Sequence, residues 1–205
     1  MKLYYMPGTI SMAAAIGLHE AGVAFEPCLV NFKDGAQTKP EYHAINPKGR
    51  VPALDTGAGV LTETGAILDY LAAIRPEAGL VPDVPEDAAH MRAVMYYLAS
   101  TMHVNHAHGP RGIRWADLEA SHADMRAKMP LNMAENAAYV GAFCLRGTFV
   151  LGDQISIADP YLFTVCSWLE ADKVDVSGFP KILAFRAAME ARASVKAVRA
   201  AGIMP

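Results

Sequence analysis

The sequence predicts a small α/β domain followed by an all-α domain, and three observations carry that prediction. Up to about Leu80, short apolar runs alternate with turn signals and helical stretches, in the order β-α-β, an irregular stretch, then β-β-α. The segment RPEAGLVPDVPED (75–87) contains three prolines and a glycine and reads as a linker. Beyond it, almost every periodic segment has helical spacing. The boundaries predicted are 1–80 for the first domain, a linker at 81–88, and 89–205 for the helical domain.

The elements follow in order. KLYYM (2–6) and FEPCLVNF (25–32) are strand-like, and the Ala-rich stretch between them runs from Ser11 to Ala21 and stops at Gly22, a C-terminal helix signal. A β-α-β unit of this kind demands parallel strands and a right-handed crossover. PALDT (52–56) and GVLTE (59–63) read as a hairpin around GAG. The helix from Thr64 to Ile74 ends at Arg75, because the residue before Pro76 resists helical backbone angles. Pro85 opens a helix that continues through the 103–108 region until Gly109-Pro110 and Gly112 interrupt it. A further helix covers roughly Trp115 to Arg146, with Pro130 as a kink or break. Ser156 reads as the cap of the helix in SIADPYLFTVCSWLEA (156–171), with Asp159 three residues on, and 178–192 supplies another helix.

Composition bounds the function classes. The chain has 205 residues, a net charge of −3 and 19% charged residues, so it lacks the basic face that general nucleic-acid binding needs. No apolar run approaches the roughly 20 residues of a membrane span. Pro7 and Gly8 interrupt any signal-like apolar run at the N-terminus. A cytoplasmic protein is expected, with neither nucleic acid nor membrane as partner. The three cysteines, Cys28, Cys144 and Cys166, are odd in number and far apart, and read as reduced thiols rather than a disulfide or a zinc site.

Several short motifs carry chemistry. Thr9 and Ser11 stand where a strand turns into a helix, so that Ser11 either caps the helix or helps to hold an anion. Val51-Pro52 precedes a strand: it is either a trans proline at a strand start or a cis bond that turns the Val51 backbone toward an extended peptide. Thr64 reads as a helix N-cap whose N–H groups suit a carboxylate, and Glu63 beside it suits an ammonium group. Together they fit the end of an α-amino acid; alone they are also a capped helix with a solvated glutamate. In HVNHAHG (103–109), His103 and His106 share a helical face. Core-lining or exposed histidines are the default there, and no metal site is expected because no carboxylate or cysteine lies beside them in sequence. Tyr96, Tyr97 and Trp168 read as core or subunit interface.

MKLYYMPGTIS, INPKGRVPAL with LTETGAILDYL, and SIADPYLFTV together resemble the glutathione S-transferases, in particular the bacterial beta class. The resemblance covers the whole chain in order. It implies a thioredoxin-like N-terminal domain and a helical C-terminal domain. It also implies glutathione as cosubstrate with no other cofactor, a small hydrophobic electrophile as second substrate, a homodimer, and a role in detoxification. Val51, before cis-Pro52, would pair by its backbone with the cysteinyl part of glutathione, with Ile10 and Arg50 alongside. Glu63 and Thr64 would hold the γ-glutamyl end, and Lys33 or Lys39 the glycyl carboxylate. His103, or His106 one turn on, would border the site. Asp159 would stabilise the helical domain.

The chain departs from the beta class at residue 10, where Ile10 stands in place of the usual cysteine. Ile10 forms no mixed disulfide and donates nothing from its side chain. The catalytic candidates are therefore Ser11, Thr9, or backbone N–H groups alone, each as a donor to the glutathione thiolate. Conjugation is the expected activity. Glutathione-dependent peroxide or disulfide reduction, and a glutathione-fold binding or regulatory protein without turnover, are the alternatives.

Overall fold

β1 (Lys2–Tyr5), α1 (Ser11–Glu20) and β2 (Glu26–Leu29) form the expected β-α-β unit, with β1 and β2 parallel. In the computed structural model, which describes residues 1–205, β3 (Ala53–Asp55) and β4 (Val60–Thr62) follow as an antiparallel hairpin. The four strands make one mixed sheet in the order β2-β1-β3-β4. A short helix α2 (Pro40–His43) lies in the stretch read as irregular, and α3 (Thr64–Ile74) has the predicted bounds.

α1 is buried continuously from Ser11 to Leu18, which explains its alanine content: a helix covered on several sides has no polar face to display. α3 approaches so closely that a Cβ on Gly17 would stand 2.4 Å from Leu68 Cδ2. Another helix, α9 (Ala193–Ala200), packs on α1 as well. At the last turn of α1, Glu20 receives a two-pronged ion pair from Arg192, with Arg192 Nη2 2.7 Å from Oε2, and a hydrogen bond from the Ser194 hydroxyl.

That contact corrects the domain boundaries. The chain divides into Met1–Pro82 with Glu190–Pro205, and Asp83–Met189. The last sixteen residues, expected in the helical domain, therefore belong to the first unit. The expected linker at 81–88 is also cut short, because a helix already begins at Pro85.

The second unit is helical throughout. α4 (Pro85–Tyr97) runs through a π-helical turn, Leu98–Met102, into α5 (His103–Arg111), so the first interruption falls earlier than Gly109-Pro110 and needs neither residue type. α6 (Glu119–Tyr139) keeps Pro130 inside it without breaking, and ends in a second π-helical turn, Val140–Cys144. α7 (Ala158–Cys166) is buried at every position. Its start is held by Asp159, which is fully buried and accepts from Val150 N at 2.9 Å, Ser156 N at 2.7 Å and the Ser156 hydroxyl at 2.8 Å. Ser156 Oγ also accepts from Ala158 N at 3.3 Å, although Ile157, not Ser156, occupies the cap position. α8 (Pro180–Ala191) buries Ile182, Phe185 and Met189.

Met91, Val94, Met95 and Leu98, apolar residues of α4 and the π-helical turn, are buried. What α4 presents to solvent is Tyr96, 70% exposed. Tyr97 is anchored by a hydrogen bond from Asn136 at 2.7 Å, and burial pushes its phenol up to about 12.

Glu20 supplies a pH dependence. Burial alone would raise its carboxyl, but the hydrogen bonds from Arg192 and Ser194 and the Arg192 charge leave it below the ordinary 4.5. A depressed folded value means stabilisation that is present above the unfolded value and lost as pH falls through the folded one. Chemical denaturation should therefore show stability falling below about pH 4.5 in the wild type. Glu20→Gln should cost about 2 kcal/mol at pH 7 and flatten that acid slope; an unchanged slope would assign the acid sensitivity to other carboxylates.

Candidate functional site

The register of the sheet decides what comes together. Tyr4 lies opposite Ala53, and Ala53 opposite Thr62, so these three residues form one row across β1, β3 and β4. β3 begins and β4 ends in that row, and β1 ends one residue past it. The turn after Tyr5, the Val51-Pro52 pair and Glu63 therefore leave the same end of the sheet. The register Tyr5 opposite Leu29 brings β2 out there too, followed by the segment that carries Lys33.

The turn after β1 is closed by two hydroxyls. Ser11 Oγ accepts from Met6 N at 3.2 Å, donates to Met6 O at 3.1 Å, and sits 2.8 Å from Thr9 Oγ1. Thr9 Oγ1 in turn donates to Met6 O at 2.8 Å and accepts a long bond from Ser11 N at 3.4 Å. Ser11 is fully buried, whereas Thr9 is partly exposed. This corrects the capping role expected of Ser11. A cap residue bonds N–H groups two or three positions ahead, but Ser11 is the first helical residue and reaches back five; the cap position belongs to Ile10. With Ser11 turned inward, the N–H of Ile10 is the donor at the start of α1 that has no partner within the chain.

Val51-Pro52 is cis. The carbonyl before it, on Arg50, is pinned by the Tyr42 hydroxyl and by Asn46 Nδ2, each at 2.7 Å. Val51 packs with Val30 and Tyr42, and burial raises the Tyr42 phenol to about 12, so it stays a donor. The Val51 N–H and C=O make no hydrogen bond within the chain. The segment is held at one side and left open along its own backbone, which suits an extended peptide laid beside it.

Glu63 adopts φ 70° and ψ 120°, a left-handed conformation that is costly for a residue with a Cβ and that gathers at ligand sites. It occupies the cap position of α3, its carbonyl accepting from Ile67 N at 3.0 Å. Thr64, expected as the cap, is the first helical residue. It is buried to 6% exposure, and its hydroxyl has no partner. The Thr64 and Gly65 N–H groups are likewise unpaired at the positive end of the helix. A residue that the sequence reading missed stands here: Lys48 Nζ lies 2.8 Å from Glu63 Oε1 and 2.6 Å from Thr62 Oγ1. Nothing local signals that pairing, since it bridges fifteen positions through the hairpin.

The remaining candidates divide. Lys33, Lys39 and Arg50 are exposed in the first unit. His103 and His106 lie in the second unit, where both rings pack on Trp168, centroids at 5.1 and 4.2 Å, and His106 Nδ1 meets the buried Asp172 at 2.8 Å. Trp168 is core, as one of its two readings had it. Cys144 and Cys166 are buried and free, and burial raises their thiols to about 11 and 12. Cys28 is also free and raised, first by burial and then by Glu26.

Residues 1–73 match the family model of the glutathione S-transferase N-terminal domain, and residues 98–193 that of the C-terminal domain. A glutathione transferase homologue from Sulfitobacter, solved with bound glutathione, is 56% identical and superposes with a TM-score of 0.97 over 98% of each chain. A glutathione S-transferase of Escherichia coli O157:H7 is 32% identical over 96% of each chain. A maleylpyruvate isomerase of Ralstonia is 30% identical over 92% of this chain and 91% of its own.

Because Ser11 closes the turn from inside, Ser11→Ala should destabilise the protein by about 2 kcal/mol in a denaturant melt, chiefly by stranding the Met6 N–H. Thr9→Val should cost less, since Thr9 is partly open to water. A Ser11→Ala loss below about 0.5 kcal/mol would contradict this account of the turn.

Proposed function

The chain belongs to the glutathione S-transferase family, and from that membership we propose that it conjugates the glutathione thiolate to a small electrophile as a homodimer in the cytoplasm. The observation that carries this reading is the row of unpaired polar groups at one end of the sheet: the Ile10 N–H, the Val51 backbone, and the Thr64 hydroxyl with the N–H groups of α3. They match, in order, a sulfur, a peptide backbone and a carboxylate. The γ-glutamyl carboxylate sits on the start of α3 with its ammonium on Glu63. The cysteinyl backbone pairs with Val51, and Lys33, Lys39 or Arg50 meets the glycyl carboxylate.

The thiolate lies at the start of α1. A free thiol has a pKa near 8.5, and lowering it by about two units takes roughly 2.7 kcal/mol of preference for the anion. One charge-assisted hydrogen bond, about 1.5–3 kcal/mol, together with the helix N-terminus at about 0.3–1 kcal/mol, covers that. The Ile10 N–H is the first donor. Thr9 is the second, its one hydroxyl proton turning from Met6 O to the sulfur, because Thr9 is the partly exposed one of the two residues. Ser11 acts through Thr9. The thiol proton leaves to water, the thiolate attacks the electrophilic carbon, and a halide or similar group departs with its bonding pair.

Ile10 favours transfer over disulfide reduction, because no protein thiol stands at the start of α1 to form a mixed disulfide. The isomerase relatives favour a second reading. In it the thiolate adds to an activated double bond, the adduct rotates, and the thiolate leaves again without net consumption of glutathione.

Two measurements test the proposal. Conjugation shows stoichiometric loss of glutathione to thioether with a dinitrochlorobenzene. Isomerisation shows conversion of a cis-unsaturated dicarboxylic acid with glutathione unchanged. Activity on a glutathione disulfide alone would overturn both. Glu63→Ala should weaken glutathione binding by about 2 kcal/mol, roughly thirtyfold, in a calorimetric titration; an unchanged dissociation constant would misplace the site.

A further inference from the structure

We propose that Lys48 is a specificity residue for the α-carboxylate of the peptide's first residue, so that Lys48 and Glu63 together read a free zwitterionic amino-acid end. This deepens the glutathione reading and rests on it.

The ammonium of Lys48 has three protons. One faces Glu63 Oε1 at 2.8 Å and one faces Thr62 Oγ1 at 2.6 Å. The third has no partner in the chain. On Glu63 the second oxygen, Oε2, is likewise unengaged. Beside them is the start of α3, an eleven-residue helix, where Thr64 is 94% buried as a residue, its hydroxyl has no partner in the chain, and the N–H groups of Thr64 and Gly65 are unpaired. Three anion-seeking groups and one cation-seeking oxygen thus belong to residues 63–65 and to the lysine docked on Thr62 and Glu63.

A lone cation or a lone anion satisfies half of this set and is repelled by the other half. A group that carries both charges two bonds apart satisfies all of it. With the ligand ammonium on Glu63 Oε2 and its carboxylate between Lys48 and the start of α3, the four charges alternate in sign and every neighbouring pair attracts. Lys48 also holds Glu63 in place through Oε1, against a backbone conformation (φ 70°) that leaves that residue few alternatives. The specificity that follows is for peptides whose first residue is joined through its side chain, because only they keep both the α-ammonium and the α-carboxylate.

The sign of the effect depends on the ligand, and a structural role for Lys48 does not reproduce that dependence. For a ligand with ammonium alone, Lys48 is purely repulsive. For one with carboxylate alone it is purely attractive.

The experiment titrates wild type and Lys48→Met with three peptides: glutathione, 4-aminobutyryl-cysteinylglycine (no α-carboxylate) and glutaryl-cysteinylglycine (no α-ammonium). Lys48→Met should weaken glutathione and the glutaryl peptide about fivefold each, the scale of a partly exposed ion pair. It should leave the aminobutyryl peptide bound as well as before or better. Lys48→Arg should restore most of the loss. Equal weakening of all three peptides would assign Lys48 a structural role and overturn the proposal. So would no weakening of any, with glutathione still bound. Wild type that binds glutathione no better than the aminobutyryl peptide would remove the α-carboxylate contact. Wild type that binds none of the three would overturn the glutathione reading itself, a different failure from that of Lys48.

Discussion

The pairing of Tyr4 with Ala53 and of Ala53 with Thr62 is the constraint on which the site depends. Because side chains alternate along a strand, a slip of one residue in either pairing would turn every side chain of that strand to the opposite face. It would also move the Val51 backbone or the Glu63 cap by about 3.3 Å along the sheet, more than the length of a hydrogen bond. The register is protected by burial: Leu3, Ala53 and Leu54 are wholly inaccessible to solvent. Slippage would bring Lys2 or Asp55 toward the core, at the cost of desolvating a charge. A few apolar residues therefore fix where three loops begin, and the loops carry the polar groups.

At each of the three loops, part of the local hydrogen-bonding capacity is used to set the geometry and part is left unpaired. Ser11 secures the turn after β1 and leaves the Ile10 N–H. Tyr42 and Asn46 pin the Arg50 carbonyl and leave the Val51 peptide groups. Lys48 and Thr62 steady one edge of Glu63 and leave Oε2. Groups held in position before a ligand arrives bind with less loss of conformational entropy than groups that must first be ordered. The left-handed backbone at Glu63 belongs to the same arrangement: strain that the surrounding sheet and helix sustain, at the residue whose charge must face outward.

Much of this was legible because its signals are local. Gly22 ends α1, Pro76 ends α3, and the Val51-Pro52 and Glu63-Thr64 pairs stand at element boundaries where turn chemistry is visible in the sequence. The unread parts are non-local. Whether a serine at a helix start faces ahead or back depends on where the preceding strand ends, so Ser11 looked like a cap. Lys48 is an ordinary surface lysine until the hairpin folds it onto Glu63. The π-helical turn at Leu98–Met102 contains neither proline nor glycine, so no backbone signal marks it. The shift of Glu190–Pro205 to the first unit rests on Glu20, Arg192 and Ser194, which are far apart in sequence and unremarkable individually.

That last contact makes the helical unit, in topological terms, an insertion: a 107-residue excursion between two parts of one smaller unit. As the chain emerges from N- to C-terminus, α1 is synthesised early, but its partner helix α9 comes last. The second unit has its full set of residues while the first still lacks one wall. Until then, the apolar side of α1 that α9 covers has no permanent neighbour, and Glu20 stands without Arg192. The unit that carries the sheet is thus the later of the two to close, though it is the first to be made.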